Sequence, residues 1–453
     1  MKKWQLQIMV GVCGMILAGC HKSEPVVPKL SAPDKWQAKT KIVKTKDNLA
    51  CIPWWKSFKD LDLNWLIHKG LTQNNELSMS LAHVEAAKGE LKRVELSWLP
   101  NIDSLLGYSS FPTPGFPGVI AVGIPTYTLN LLKQAKENKK AKYLVEASEN
   151  EHAALRLAVI HQIASNYFSY QAQLDKIYLL SEIERELKSK VAIYRATYNG
   201  GITNNIDLVD VKAKLAIIRS EIMVLQQNIV VYQNNIRYLM NENPKPLGLK
   251  NKYPSLITTR APVGGLPLTV LENRPDLKQA ENELRAQHQE VGMAISNFLP
   301  TMQLSMARGK IGEVENSYKL RTNVYFNQYW LQTPLLNLSF FGDVAKAKGH
   351  KKAAFYKFID TYRKVLREVD TDLSAYDNYG LRLSKTITAK NDIKRDYQLS
   401  RNLYNKGIIS YLDLLEKQIK YNEMRVMVNE HKLDQLLTIV NLYQDMALGY
   451  GCQ

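Results

Sequence analysis

One short motif occurs twice in this sequence, and it limits the possible folds more than any other feature. Five residues recur at a constant spacing of 206 positions, as Tyr198, Gly201, Ile202, Asp207, Leu208 and as Tyr404, Gly407, Ile408, Asp413, Leu414. Each copy lies between two long segments of helical periodicity, so the chain contains an internal repeat. A glycine just after a helix supplies the left-handed residue that ends it, and the polar residues that follow can cap the next helix. We therefore predict that each copy is the bend of a helical hairpin.

The segments beside these bends predict long helices that pack as coiled coils. No proline occurs from Lys133 to about Tyr198, and about 66 residues of helix would be roughly 100 Å long. The return helix has an unbroken apolar heptad seam: Val211, Leu215, Ile218, Ile222, Leu225, Ile229, Tyr232, Ile236 and Leu239. Steps of three and four residues are typical of an antiparallel coiled-coil partner. The sequence thus predicts one coiled-coil hairpin at 133–242 and a second at 343–448.

Each hairpin follows two segments with the two-residue rhythm of a β-strand. Thr126 and Thr128 alternate with Tyr127 and Leu129 in the first half, and Met302, Leu304 and Met306 alternate with polar residues in the second. We predict strands at about 101–111 and 118–131 in a first repeat (53–243), and at about 301–308 and 322–338 in a second repeat (266–453). The predicted loop of the second strand pair runs over 309–321, and a linker at 244–265 joins the repeats. The predicted fold class is mostly α with a β-barrel contribution. Each repeat is predicted to contain, in order, a helix, two strands, a long helix and a return helix.

The N-terminus has the features of a bacterial lipoprotein signal. A short basic start precedes an apolar run that is too short to span a membrane, and Leu17-Ala18-Gly19-Cys20 resembles the lipobox closely. Residues 1–19 are therefore predicted to be a signal peptide and Cys20 to be acylated, with 20–52 as a tether. His21 stands where an aspartate favours retention in the inner membrane, so we expect outer-membrane localisation, with a lipid anchor and most of the chain in the periplasm.

Charge and cysteine content exclude some classes of function. The net charge is +17, but the basic residues are dispersed, and an exported protein meets no genome, so nucleic-acid binding is not expected. Cys51 and Cys452 remain after the signal cysteine and the acylated cysteine are set aside. They lie near the two chain ends in an oxidising compartment. Two alternatives are equally open: a disulfide that joins Cys51 to Cys452, or two cysteines that both remain free thiols.

Four strands per chain predict an oligomer. A half-apolar sheet with open edges is unstable in lipid, because its unpaired backbone groups would be buried in hydrocarbon. Four strands are too few to close a barrel, whereas three copies would supply twelve, within the range of outer-membrane barrels. The physical argument gives a lipid-anchored oligomer with a β-barrel in the outer membrane and a helical cylinder beneath it.

A set of motifs resembles the TolC-like outer-membrane efflux proteins, in their lipoprotein branch of the NodT and OprM type. These motifs are Arg274-Pro275-Asp276-Leu277, Phe298-Leu299-Pro300, Leu99-Pro100 and both Tyr-x-x-Gly bends. The resemblance implies a homotrimer with a twelve-stranded barrel and a periplasmic α-helical barrel. It also implies two partners, a periplasmic adaptor (membrane fusion) protein and an inner-membrane pump of the RND type. Thr197 and Leu403 depart from the pattern, because the family often has arginine before the bend tyrosine.

The same resemblance suggests which residues act. The position of Asp413 and the one three residues later, here Glu416, line the periplasmic gate in the family, and Asp207 and Asp210 are the matching pair in the first repeat. The alternative is that these acids only stabilise helix N-termini. Tyr198 with Gly201, and Tyr404 with Gly407, would shape the tips on which the adaptor docks.

We therefore expect the outer-membrane channel of a tripartite efflux system, which exports drugs or other small toxic compounds. An exit duct of a type I protein-secretion system is the alternative within the family, and a periplasmic helical adaptor or scaffold lipoprotein is the alternative from another class. An adaptor would lack the two strand pairs. No catalytic constellation, metal-ligand spacing or phosphate loop is visible, so we expect neither an enzyme nor a cofactor.

Lysines are concentrated at the start of both long helices, where they oppose the helix dipole. They are Lys133, Lys136, Lys139, Lys140 and Lys142 in the first repeat and Lys346, Lys348, Lys351 and Lys352 in the second. Contact with acidic lipid headgroups and simple solvation are both open explanations.

Overall fold

The computed structural model describes residues 27–28, 30–38, 43–44, 48–109, 118–202, 205–250, 253, 263–264, 267–313, 322–334 and 336–451. Within them, the first repeat contains α1 (Leu61–Gln73), α2 (Asn75–Leu96), β2 (Asn101–Ser109), β3 (Gly118–Leu129), α3 (Leu131–Asn199) and α4 (Asn205–Leu239). The second contains α5 (Pro267–Asn273), α6 (Pro275–Ser296), β5 (Thr301–Glu313), β6 (Thr322–Gln332), α7 (Ser339–Asn405) and α8 (Tyr411–Asp445). Two short strands, β1 (Val43–Lys44) and β4 (Val263–Gly264), form a parallel pair.

Several predictions concern residues outside this description. They include the signal peptide and its cleavage site, the acylated Cys20, Cys452 and most of the linker at 244–265. None of the described helices is both long enough and apolar enough to cross a lipid bilayer.

The chain divides into two compact units. One, the sheet unit, comprises the described residues within 27–31, 90–144 and 281–358. The other, the helical unit, comprises residues 32–89, 145–280 and 359–453. The long helices α3 and α7 contribute residues to both units.

The sheet unit contains one antiparallel sheet built from both repeats. Its strand order is β2-β3-β5-β6, so the two hairpins are joined where β3 pairs with β5. Within the described residues, the outer strands β2 and β6 are each paired on one side only. The two strand pairs that separate this fold from a purely helical adaptor are thus present.

Two strand boundaries differ from the predictions. β5 continues to Glu313 instead of ending near residue 308, because Gly309 to Lys310 pair with β3 on one side and β6 on the other. A side chain at Gly309 would lie 2.5 Å from Val122 Cα and would collide with the carbonyl oxygen of Ala121, so this close approach requires glycine. β6 ends at Gln332 rather than 338, since Pro334 lacks the backbone donor that a further strand residue needs.

The sheet has two chemically different faces at the end nearest the helices. Directly opposed residues of antiparallel strands share a face, so the register assigns one face to Ile102, Tyr127, Leu129, Met302, Leu304, Met306, Tyr329 and Leu331, interrupted by Ser104 and Asn327. The opposite face carries Asn101, Asp103, Thr126, Thr128, Thr301, Gln303, Ser305, Gln328 and Gln332, interrupted by Leu105, Ile124 and Trp330. The apolar face is uncovered on the edge strands, where Ile102 is 74% and Tyr329 64% exposed.

The helical unit contains the main apolar core and the predicted coiled coil. Ile160, Ile163, Tyr167 and Phe168 of α3 are completely buried. Further along the hairpin, α3 and α4 pack through Leu180, Ile183, Leu187, Val211, Leu215 and Leu225, with Ile218 and Ile222 beside them. The heptad seam of the return helix is therefore a packed interface.

Helix starts follow from local sequence. Asn74 caps α2 by accepting a hydrogen bond from Leu77 N at 3.0 Å, and Asn130 caps α3 by accepting from Lys133 N at 3.1 Å. Helix α5 was not predicted, although Pro267 at its first position is a favourable start signal.

Candidate functional site

The two bends have the same backbone geometry. Gly201 and Gly407 have φ values of +70° and +72°, a region that favours glycine. In the first bend Gly201 N donates to Tyr198 O at 2.9 Å and Ile202 N to Thr197 O at 2.9 Å. The second bend repeats this pair of bonds from Gly407 and Ile408, at 2.8 and 2.9 Å. This arrangement is a Schellman motif, so the left-handed glycine that the repeat predicts is present in both copies.

The polar cap after the second bend involves one of the predicted gate residues. Ser410 Oγ accepts a hydrogen bond from Asp413 N at 3.1 Å, and Asp413 Oδ2 accepts from Ser410 N at 3.1 Å. These reciprocal bonds form a capping box. The Ser410 hydroxyl, which also donates to the carboxylate, and its backbone N–H hold the pKa of Asp413 below its usual range. Asp413 therefore has a structural role in this chain whether or not it also lines a pore.

The other acids predicted at the gate gather around one tyrosine. A cleft of about 630 Å³ lies between α3, α4 and α8, and Tyr194, Asp207, Asp210 and Glu416 all line it. Partial burial raises the pKa of Tyr194, and the nearby carboxylates of Asp207, Glu416, Asp210 and Asp413 raise it further. The fold thus brings the predicted gate acids of both repeats to one place.

Lysines share this cleft with the acids. Lys190, Lys214 and Lys420 line it, and Lys214 Nζ lies 2.9 Å from Asp210 Oδ2. Glu423, also in the cleft, has its pKa raised by burial, while Lys214 and Lys420 act in the opposite direction. Asp210 is therefore paired within its own helix, and Asp207, Asp210 and Glu416 are all exposed.

The tips expose apolar side chains. Tyr198 and Tyr404 are 44% and 38% exposed, and Ile202 and Ile408 are 76% and 64% exposed. The Tyr404 ring packs against Tyr411, with 5.5 Å between centroids. Each tip therefore presents an exposed tyrosine and an exposed isoleucine.

A polar seam between the two hairpins was not predicted. Gln418 and Asn422 of α8 donate to Glu186 Oε1 of α3 at 2.6 and 2.8 Å, and Asn429 donates to Asp175 at 2.8 Å. Arg425 pairs with Glu182. The α8 residues are spaced by four, three and four positions, so the seam has heptad spacing with polar instead of apolar residues. Burial raises the pKa of Glu186, and the two amide donors lower it.

A buried charge cluster around Arg274 was also missed. The Arg274 guanidinium binds Asp276 through two hydrogen bonds of 2.9 and 2.6 Å and donates to the backbone oxygen of Asp445 at 2.8 Å. Burial raises the pKa of Asp445 to about 7, against the lowering effect of Arg274, and Asp372 shares a hydrogen bond with it. Burial likewise raises the pKa of Asp372. The sequence signal was Arg274-Pro275-Asp276, which we interpreted only as a family motif and a helix start.

The predicted cysteine pair is only partly described. Cys51 is exposed and has no disulfide partner among the described residues, and Cys452 lies outside them. The neighbouring backbone is nevertheless joined, since Gly451 N donates to Ala50 O at 2.7 Å and Gly449 N to Leu49 O at 3.2 Å. In the part of the chain that the structure describes, no three His, Cys, Asp or Glu side chains are grouped to hold a metal ion.

Comparison with known proteins defines the class. The model of the outer membrane efflux protein family matches residues 66–242 and 266–448, and the chain belongs to this family. It is an outer-membrane efflux channel, and the family consists of channel proteins rather than enzymes.

Individual relatives are distant but similar along their whole length. The outer membrane protein OprJ of Pseudomonas aeruginosa is 23% identical over 475 residues, which cover 97% of this chain and 96% of OprJ. The cation efflux system protein CusC of Escherichia coli is 22% identical over 463 residues, with 97% of each chain covered. The MtrE outer membrane channel of Neisseria gonorrhoeae, solved in its open state, has a TM-score of 0.82 at 19% identity, covering 95% of this chain and 98% of MtrE.

Proposed function

We propose that three copies of this chain form the outer-membrane channel of a tripartite efflux system. An RND-type inner-membrane pump and a periplasmic adaptor would deliver drugs or other small toxic compounds to it, and acylated Cys20 would hold each N-terminus at the membrane. Relatives named as toluene, antibiotic and cation efflux proteins support a small toxic cargo.

The amphipathic four-stranded sheet is the observation that carries this proposal. Its apolar face is exposed, and its outer strands β2 and β6 have one unpaired edge each within the described residues. An unpaired backbone group costs several kcal/mol in hydrocarbon. Pairing β2 of one copy with β6 of the next removes both edges, and three copies would then give a closed barrel of twelve strands with its polar face inward.

The two helical seams suggest which parts move when such a channel opens. The α3–α4 seam within the first hairpin is apolar, so separating these helices would expose hydrophobic surface. The α3–α8 seam between the hairpins is mostly polar, although Ile419 and Val426 of α8 also pack against the α3–α4 core. Its polar groups can exchange partners with water at lower cost. We therefore propose that the hairpins move as units, and that Asp413, Glu416, Asp207 and Asp210 lie at the constriction this movement opens.

Cross-linking tests the assembly. In a Cys51→Ser/Cys452→Ser background, Asp103→Cys on β2 is combined in turn with Gln328→Cys, Trp330→Cys or Gln332→Cys on β6, all on the polar face. Oxidation should convert one of these variants to covalent trimers that conduct ions in planar bilayers. Thr128→Cys on the inner strand β3, combined with the same partners, is the control that should not cross-link between copies. Monomers from every pair, together with electrically silent bilayers, would refute the proposal.

A matched pair of variants separates the pore role of Asp413 from its cap. Ser410→Ala removes the capping hydroxyl and keeps the acid, whereas Asp413→Asn removes the charge. Loss of the cap in Ser410→Ala costs about 1 kcal/mol of helix stability, whereas Asp413→Asn keeps the bond from the residue 413 N–H to Ser410 Oγ. A ring of acids attracts cations, so cation selectivity should fall in Asp413→Asn and persist in Ser410→Ala. Equal selectivity in both variants would assign Asp413 to capping alone.

A further inference from the structure

We propose that the beginnings of α3 and α7 form a binding surface for the headgroups of anionic phospholipids. We call it the lysine collar, and its residues are Lys133, Lys136, Lys139, Lys140, Lys142, Lys346, Lys348, Lys351 and Lys352. This inference rests on the proposed function, because it needs the sheet to lie in a membrane. It adds a lipid partner that is independent of the acylated N-terminus.

The collar directly follows the apolar end of the sheet. β3 ends at Leu129 and α3 begins at Leu131, and β6 ends at Gln332 and α7 begins at Ser339. The residues around these junctions expose large apolar side chains: Leu131 63%, Leu336 83%, Leu338 69% and Phe341 65%. Aromatic and apolar side chains beside lysines are typical of the boundary between hydrocarbon and headgroups.

The spacing of the lysines matches the depth of that boundary. At 1.5 Å per residue, the collar occupies about the first 20 Å of each helix. A headgroup layer extends about 5–8 Å beyond the hydrocarbon on each side, and its surface potential reaches about 8–10 Å further at physiological salt. The lysines therefore lie where an anionic leaflet would attract them.

Most of the collar lysines have no acidic partner among the described residues. Lys140 pairs with Glu290, and the Lys136 side chain packs beside Gly292. Among the described residues, Lys139, Lys142, Lys346, Lys348 and Lys352 are exposed and have no acidic partner within 4 Å. Cations at a helix N-terminus are also unfavourable with respect to the dipole. Anions bound beside the starts of both helices would neutralise the unpaired lysines and offset their unfavourable interaction with the helix dipole. The phosphate groups of lipids that lie against the apolar face of the sheet would provide such anions.

Spin-labelled lipids provide a direct test. The full-length protein is reconstituted in phosphatidylcholine vesicles with a trace of spin-labelled phosphatidylglycerol or phosphatidylcholine, and electron paramagnetic resonance measures the fraction of each lipid immobilised by the protein. One lysine near an anionic surface contributes about 1 kcal/mol, or roughly a fivefold change in binding. We expect the association constant for phosphatidylglycerol to exceed that for phosphatidylcholine by about this factor or more.

Two variants of equal charge change identify the surface. The collar variant replaces Lys139, Lys142, Lys346, Lys348 and Lys352 with Gln and should clearly lower the ratio of association constants, with only Lys133, Lys136, Lys140 and Lys351 of the collar remaining. The control replaces five exposed lysines of the helical unit, and it should keep the preference of the unaltered protein: Lys35, Lys56, Lys250, Lys385 and Lys394. The inference would be overturned if the preference for phosphatidylglycerol is undiminished in the collar variant, or if it falls equally in the collar variant and the control variant.

The remaining outcomes separate the two proposals. Equal immobilisation of both lipids by the unaltered protein would refute the collar and leave membrane insertion supported. No immobilised lipid of either kind would refute insertion of the sheet, and the collar with it. Replacing chloride with inorganic phosphate at constant ionic strength should leave the preference intact, and its loss would assign the site to free phosphate instead of lipid.

Discussion

The buried carboxyl pair beside Arg274 predicts an unusual pH dependence that Asp445→Asn should remove. Burial raises the pKa of Asp445 to about 7, from an ordinary value of 3.8. Between these values the folded protein binds a proton that the unfolded chain has released, so folded stability is present at low pH and is lost as pH rises through about 7. The charged groups that face Asp445 are Arg274 and Asp372, with Glu368 close by.

The size of the effect follows from one proton. A group that titrates at about pH 7 only in the folded state changes the free energy of unfolding by about 1.4 kcal/mol between pH 6 and pH 8. For a unit of this size that corresponds to a decrease in melting temperature of about 3 °C. Asparagine keeps the shape of the side chain and cannot ionise, so the Asp445→Asn variant should lose this decrease.

The assay is thermal unfolding of the purified protein in detergent at pH 6, 7 and 8. Asp434→Asn, at a half-exposed acid on the same helix, is the matched control and should keep the pH dependence of the unaltered protein. If the melting temperatures of Asp445→Asn and of the control decrease by equal amounts between pH 6 and pH 8, the carboxyl pair does not hold a proton near neutrality and the reasoning is refuted.

Three further predictions concern the sheet, the chain ends and the bends. Gly309→Ala should force β3 and β5 apart and strongly reduce assembled protein in the outer membrane, whereas Gly107→Ala on β2, where a methyl group meets nothing within 4 Å, should not. Mass spectrometry of a non-reduced digest should find a Cys51–Cys452 peptide, because the residues next to these cysteines are hydrogen-bonded to each other, and two free thiols would contradict the pairing. Asparagine tolerates the left-handed conformation, so Gly407→Asn should still fold and form trimers. Its added side chain would obstruct adaptor docking at the tip, so drug resistance should fall. Unchanged resistance would remove the docking role.

The features that the sequence predicted best depend on local chemistry. A left-handed glycine and a heptad seam leave patterns within a few residues, so the Gly201 and Gly407 bends and the α3–α4 interface could be inferred directly. The polar seam of α8 has the same heptad spacing, but its residues are Gln418, Asn422, Arg425 and Asn429. Polar residues at heptad positions leave no hydrophobic periodicity, so the sequence pattern does not predict this seam.

The remaining features depend on contacts between distant segments. The extension of β5 past Gly309 has polar residues and glycines that do not favour a strand, and its pairing with β3 and β6 stabilises it. The burial of Arg274 requires Asp445, which is 171 residues away in sequence. Asp413 could be predicted as a capping residue from Ser410 and the bend, while the lysines beside the gate acids could be found only from the folded arrangement of three helices.

The pairing of β3 with β5 has a consequence for biogenesis. Gly123 opposes Arg308, so the edge of β3 that faces away from β2 has no partner strand until most of the polypeptide has been synthesised. Contacts between such distant residues form slowly, and an unpaired apolar strand is prone to aggregate during the delay. A fragment that ends before Thr301 would leave this edge of β3 unpaired, so it should aggregate more readily than the full chain.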